Sequence, residues 1–232
     1  MIPRKTSLKI RKTHRYLGVI IGIQFLAWTI SGLYFSWTDI DEIHGDHFLN
    51  PKYTPPEFLS LYPLDSIKIP IVTLELLNIN QEPFYWINNE ILLNANKGTI
   101  KKNITEQEAL AVASSHLISG LEVSKVELIT KTDPHHEFRG KPLPAYAIHY
   151  NHPEKLVAYV DARNGTFQRV RHEQWRWFDF LWMGHTMDYK GRDDFNTLLL
   201  RIFSLFGVCT VLSGFLLWGT SSPTLRKLIK RN

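Results

Sequence analysis

Residues Leu17–Trp37, LGVIIGIQFLAWTISGLYFSW, contain no charged side chain. About 20 apolar residues is the length an α-helix needs to cross the hydrocarbon core of a bilayer. A run of the same length recurs at Leu198–Trp218, LLLRIFSLFGVCTVLSGFLLW, with one charge, Arg201, near its start. A long arginine stem placed there reaches the interface with its head in water. Trp37, Trp218 and Tyr16 stand at the span ends, where interfacial aromatics gather. The first run is too long for the apolar region of a signal peptide, and Ser36-Trp37-Thr38 is a poor small-residue cleavage site. It therefore reads as an uncleaved anchor.

Charge orients the two spans. Residues 1–16 carry Arg4, Lys5, Lys9, Arg11, Lys12 and Arg15 with no acid, and residues 219–232 carry Arg226, Lys227, Lys230 and Arg231 with no acid. All 22 acidic residues fall in 38–197 against 16 Lys and Arg, so that stretch has a net charge of about −6. Basic flanks are retained in the cytoplasm, which predicts cytoplasmic tails at 1–16 and 219–232 and a translocated middle. In a bacterium this is an inner-membrane protein with a periplasmic domain. The basic pI belongs to the tails and is no argument for nucleic-acid binding; the lipid bilayer is the partner it implies. The single cysteine, Cys209, lies in the second span, which excludes an intrachain disulfide and a cysteine metal site in the domain.

The middle reads as α+β. Thr105 with Glu108 forms a capping box, and Ala109, Leu110, Val112, Ala113 and Leu117 follow with helical spacing, predicting a helix over Ile104–Leu117. Strands are expected at Val123–Ile129, Ala145–Tyr150, Leu156–Val160 and Thr166–Val170, with a polar loop over Lys131–Lys141. The turn Asp161-Ala162-Arg163-Asn164-Gly165 has a counterpart in Asn94-Ala95-Asn96-Lys97-Gly98, each followed by Thr. Leu74–Leu77, Phe84–Ile87, Ile91–Asn94 and Thr99–Ile100 repeat the strand order. This weak internal repeat implies either two similar packed sheets or one larger sheet. The proline-rich segment Pro51–Pro63 reads as the connector from the membrane. The organisation expected is a connector and first β half over 38–103, a second half over 104–172, an aromatic interfacial helix and loop over 173–197, and spans at 17–37 and 198–218.

Ile104–Ala109 opening a helix, followed by strands that end in Ala158–Thr166, resembles the PepSY domain. Lys12-Thr13-His14-Arg15-Tyr16-Leu17-Gly18, and Gly184-His185-Thr186 leading to a last helix with Ser213-Gly214, are similar to the flanking segments of the PepSY-associated transmembrane family. The resemblance covers nearly the whole chain. It implies a membrane-anchored α+β protein: two transmembrane helices flanking a periplasmic PepSY-like domain. Many relatives have four or more spans. Some are ferric-siderophore reductases that resemble haem-carrying electron-transfer proteins, and the PepSY module is associated with inhibition of peptidases. The resemblance thus implies an accessory or electron-transfer role linked to iron, siderophore or haem metabolism. The alternatives are a non-enzymatic periplasmic binding or scaffold module of a membrane complex, and local regulation of a peptidase.

The sequence carries no nucleophile elbow, zincin helix, phosphate loop or dinucleotide fingerprint. The chemistry-bearing candidates are histidines. His14 borders the first span, and His185 shares a helical face with Phe178, Leu181 and Trp182. Neutral imidazole ligates haem, so both are candidate ligands of a b-type haem; the bland reading makes them interfacial or loop-bonding polar residues. They stand beyond opposite ends of the spans, about 30 Å apart for a 20-residue helix, so they cannot share one iron within a chain. A bis-histidine site needs His44 or His47 beside His185, or a second chain. A homodimer or larger membrane complex supplies the latter, and Gly18-x-x-x-Gly22 permits close helix packing. Asp39, Asp41, Glu42, His44, Asp46 and His47 form a juxtamembrane cluster that reads either as a site for a cation such as iron or as a solvated acidic turn. His135-His136-Glu137 is a second such grouping.

Overall fold

The computed structural model describes residues 4–222; the basic residues Arg226, Lys227, Lys230 and Arg231 lie outside them. The chain divides into a helical unit, Met1–Trp37 with Asp179–Asn232, and a domain, Thr38–Phe178.

Two long helices dominate the helical unit: α1, Arg4–Trp37, and a later one, Leu198–Ser221. Stretches Leu8–Trp37 and Leu198–Gly219 are long and apolar enough to cross a membrane. Helix α1 begins well before Leu17, so the basic segment at 4–16 is helical. The two helices pack antiparallel. Arg11 near the start of α1 donates to Ser221 at the end of the other (3.3 Å). Midway, the Phe25 ring lies against Gly207, where an added Cβ would come within 3.3 Å. Added Cβ atoms at Gly18 and Gly22 meet nothing within 4 Å, so this glycine pair faces away from the contact. Ile20, Ile23, Leu26, Leu205, Leu212 and Phe215 are exposed apolar side chains of the pair, a surface suited to lipid.

The domain opens with a short helix, α2 (Ile40–His44), capped by Asp39. Eight strands follow in two separate four-stranded antiparallel sheets: β1 (Leu74–Ile79), β2 (Glu82–Ile87), β3 (Ile91–Asn94) and β4 (Ile100–Lys101), then β5 (Val123–Ile129), β6 (Ala145–Tyr150), β7 (Val157–Asp161) and β8 (Phe167–Arg171). Of the two arrangements the repeat allowed, this is the one with two sheets. Helix α3, Glu106–His116, precedes the second sheet. Both arms of its expected capping box form: Thr105 Oγ1 accepts from the Glu108 amide (3.3 Å), and the Thr105 amide donates to Glu108 Oε2 (2.7 Å). Two of the backbone donors that a helix start leaves unpaired are thereby satisfied. One apolar cluster joins the halves. Ile79, Phe84, Trp86 and Leu92 of the first sheet pack with Ala109, Val112 and Ala113 of α3 and with Ile148, Ala158, Val160 and Val170 of the second.

The repeat is visible bond by bond at the two turns. Asn94 N donates to Thr99 O (2.8 Å) and Gly98 N to Asn94 O (2.8 Å). The same five- and four-residue offsets recur in the second copy: Asp161 N donates to Thr166 O (2.9 Å) and Gly165 N to Asp161 O (2.8 Å). In each copy the leading Asx side chain accepts from an amide two residues on, the local bonding that suits Asn and Asp to turns. Both glycines have positive φ, 67° and 73°, and both are crowded: a Cβ on Gly98 would strike the Tyr62 ring at 2.6 Å, and one on Gly165 would lie 2.9 Å from Ile79 Cγ1. Helix α4, Glu173–Thr186, follows β8.

Replacing Gly165 by Ala combines left-handed strain with displacement of a buried isoleucine. The expected cost is about 1–3 kcal/mol, read as a lower denaturant midpoint by near-UV circular dichroism. An unchanged midpoint would refute this account of the turn.

Candidate functional site

Histidines His14 and His185 make the same kind of contact at opposite ends of the helical unit. His14 Nδ1 lies 2.7 Å from Ser213 Oγ. His185 Nδ1 lies 2.7 Å from Ser31 Oγ. Each serine hydroxyl also faces a carbonyl of its own helix: Ser213 donates to Thr210 O (2.7 Å), and Ser31 to Ala27 O (2.8 Å). A carbonyl only accepts, and a hydroxyl has one proton. With that proton directed to the carbonyl, the serine lone pair faces the histidine, and Nδ1 must donate. In that arrangement each neutral ring is the Nδ1–H tautomer, with a lone pair on Nε2. No hydrogen bond occupies either Nε2 among the described residues.

Glycine follows serine in both places, and each glycine lies against the ring. A Cβ at Gly214 would meet His14 Cε1 at 3.4 Å, and one at Gly32 would meet His185 Cε1 at 4.0 Å. Seventeen helical residues separate His14 from Ser31, about 25 Å of helix. The separation expected from the spans therefore holds. Aromatic rings wall His185: Trp182 stacks with it (6.4 Å, 11°), Phe35 meets it edge-on (5.5 Å), and Trp28 donates to its carbonyl (2.8 Å). The helical face of Trp182 and His185 expected from spacing is real because α4 is a helix to Thr186. Ser31 and Gly32 escaped sequence reasoning. Their signal was the Ser-Gly pair that the first span shares with Ser213-Gly214.

The acids and histidines that follow α1 behave differently. Asp39 Oδ1 accepts from the Asp41 amide (2.9 Å) as the cap of α2. Asp41, Glu42, His44 and Asp46 are exposed. The grouping of ligand atoms among the described residues instead joins His47 to Glu154 and His172, all within 4.8 Å of one another. Sequence reasoning named the first of these; the other two come from a turn and a strand end more than 100 residues further on. His135-His136-Glu137 does not converge as a ligand set. Glu137 receives Arg176 Nε (2.6 Å) and Nη2 (3.1 Å) and the Tyr159 hydroxyl (2.6 Å), while His136 Nδ1 accepts from the Phe138 amide. Burial, with the Glu137 carboxylate beside it, pushes the Tyr159 hydroxyl well above its usual range. This ion pair edges a cleft of about 440 Å³ lined by Ser124, His149, His152 and Lys155.

The chain finds no match among family models, curated proteins or solved structures. Its chemistry is therefore read from the residues alone.

His116, at the end of α3, stacks on Phe167 (4.7 Å, 5°), meets the Tyr53 ring at a tilt (4.0 Å, 32°) and faces Val112 O with Nδ1 (2.9 Å). Burial lowers its pKa below 6.5, opposed by the Val112 bond. Burial likewise lowers His149. A neutral folded imidazole that gains a proton on unfolding contributes stability that is present above about 6.5 and is lost as the pH falls below it. Domain stability should decline on acidification from about pH 7 to about pH 5, and His116→Phe should flatten the decline. Parallel curves for the two proteins, by urea denaturation, would exclude His116 as a source.

Proposed function

We propose that this chain is an inner-membrane protein of the PepSY-associated transmembrane type that holds b-type haem at His14 and His185 and takes part in electron transfer linked to iron, siderophore or haem metabolism. One observation carries the reading: two histidines at opposite ends of the helix pair, each with its Nδ1 proton engaged by serine. A histidine that ligates a metal normally donates its other ring proton to an acceptor, which sets tautomer and ring orientation. The adjoining glycines remove side-chain bulk beside each ring. Bound haem would supply one-electron chemistry at two depths. The chain has no flavin or nicotinamide motif, so its donor would be a quinol or another protein.

Each histidine supplies one axial ligand. A second copy related by a two-fold axis along the bilayer normal would present like to like, His14 to His14 and His185 to His185. Such a dimer brings four spans together. The Gly18–Gly22 face of α1, open in the helical unit, is where helices can approach closely. The charge distribution supports cytoplasmic basic ends and a periplasmic domain.

The purified protein in detergent should show a Soret band, with sharpened α and β bands on reduction. His14→Ala and His185→Ala should each remove one haem population while the domain stays folded. Ser31→Ala should shift the midpoint potential of one population only, because it removes the bond that orients His185. A colourless protein from haem-replete cells would overturn the haem reading and leave a tethered binding or scaffold module. Binding at one iron lost equally in both histidine variants would overturn the two-depth arrangement.

A further inference from the structure

Histidine His172 ends the second sheet fully buried, with both ring nitrogens engaged. Its Nε2 lies 3.2 Å from Ile43 O at the end of α2, and its Nδ1 lies 2.9 Å from Glu154 Oε2. The carbonyl only accepts, so Nε2 carries a proton. With Nε2 donating to that carbonyl, Nδ1 faces a carboxylate oxygen at hydrogen-bond distance, a contact that either a shared proton or a metal ion bridges. His47 stands on the open side of this pair, its exposed ring edge-on to His172 with centroids 5.3 Å apart.

Local structure holds the three groups in place. Gly45, at φ 88°, brings the chain so close to β8 that an added Cβ would collide with Val170 and lie 3.5 Å from His172 Cδ2. Glu154 is held by its backbone, with its amide on His152 Nδ1 (3.2 Å) and its carbonyl accepting from Glu173 N (2.8 Å). Nearby Lys155 is drawn away to the Glu173 carboxylate (3.0 Å), so among the described residues no ammonium pairs with Glu154. The Ile43 carbonyl plays the outer-shell part that a metal-bound imidazole requires.

We propose that His47, Glu154 and His172 form a site for a divalent transition-metal ion of the zinc class, held by His172 Nδ1, a Glu154 oxygen and a His47 nitrogen. Ligand atoms within 4.8 Å of one another suit metal–ligand bonds of about 2.0–2.2 Å after a small rotation of the exposed His47. Two imidazoles and one carboxylate leave a fourth position on the solvent side, the pattern of an open rather than a closed structural site. The ion would clip the segment after α1 to the far end of the second sheet, three stretches distant in sequence. This site stands independently of the haem reading, since its ligands lie wholly within the domain.

The test is equilibrium dialysis of the full-length protein in detergent against Zn²⁺, with bound metal counted by mass spectrometry and thermal stability followed in parallel. The expected result is one tight zinc per chain and a rise in melting temperature. His47→Ala changes an exposed side chain and should leave the fold intact. It should weaken that zinc by more than about 100-fold, beyond what loss of an outer-shell partner costs. Glu154→Gln should weaken it likewise, and His44→Ala should not. No tight zinc in the unaltered protein, or a tight zinc that survives His47→Ala, overturns the proposal and leaves His172 and Glu154 as a hydrogen-bonded pair.

Discussion

A serine hydroxyl within an apolar helix has a single proton, and the direction of that proton decides the chemistry of the histidine opposite. Ser31 and Ser213 both direct it to a carbonyl one turn back. With the proton there, His185 and His14 donate through Nδ1, and each Nε2 keeps a lone pair. The same two bonds tie the helices together. Ser213 joins the last helix to the start of α1, and Ser31 joins α1 to the end of α4. Apolar side chains gain little by preferring one another over lipid tails, so polar bonds and small-residue contacts specify how membrane helices meet. Here the groups that specify packing leave each Nε2 without a hydrogen bond among the described residues.

In the domain the organising constraint is burial around α3. An isolated four-stranded sheet leaves one face unprotected. Each sheet here covers the other's exposure by sharing α3 and one apolar cluster. The repeated turns close their sheets with the same bonds. They also differ where the environments differ: Gly98 is covered by Tyr62 of the connector, and Gly165 by Ile79 of the partner sheet. A duplicated local device has thus been fitted to two settings.

Much of this was legible in the sequence. Hydropathy over Leu17–Trp37 and Leu198–Trp218 named both long helices. The boundaries of β3, β5 and β6 are those expected, because alternating apolar residues and turn signals at 94–98 and 151–153 are local cues. Strands β7 and β8 begin one residue later than expected, a shift within the reach of ladder geometry. The start of α1 was less legible. Its basic first turns carry no apolar signal, and helical propensity alone continues the helix into them.

What the sequence by itself determined was the set of elements: two long apolar helices, a capped helix, eight strands, and histidines beside the apolar runs. Periodicity, run length, capping and turn chemistry act within a few residues, so they can be read in order along the chain. Tertiary structure alone decided which groups meet. Ser31 reaches His185 across 154 residues, and His47 joins His172 across 125. No local rule reports such pairs, because the energy that sets them is the packing of whole helices and sheets. Those distant contacts seat His14 and His185 each against a serine, and they bring one residue of the acidic cluster after α1 beside Glu154 and His172, which the cluster itself does not contain.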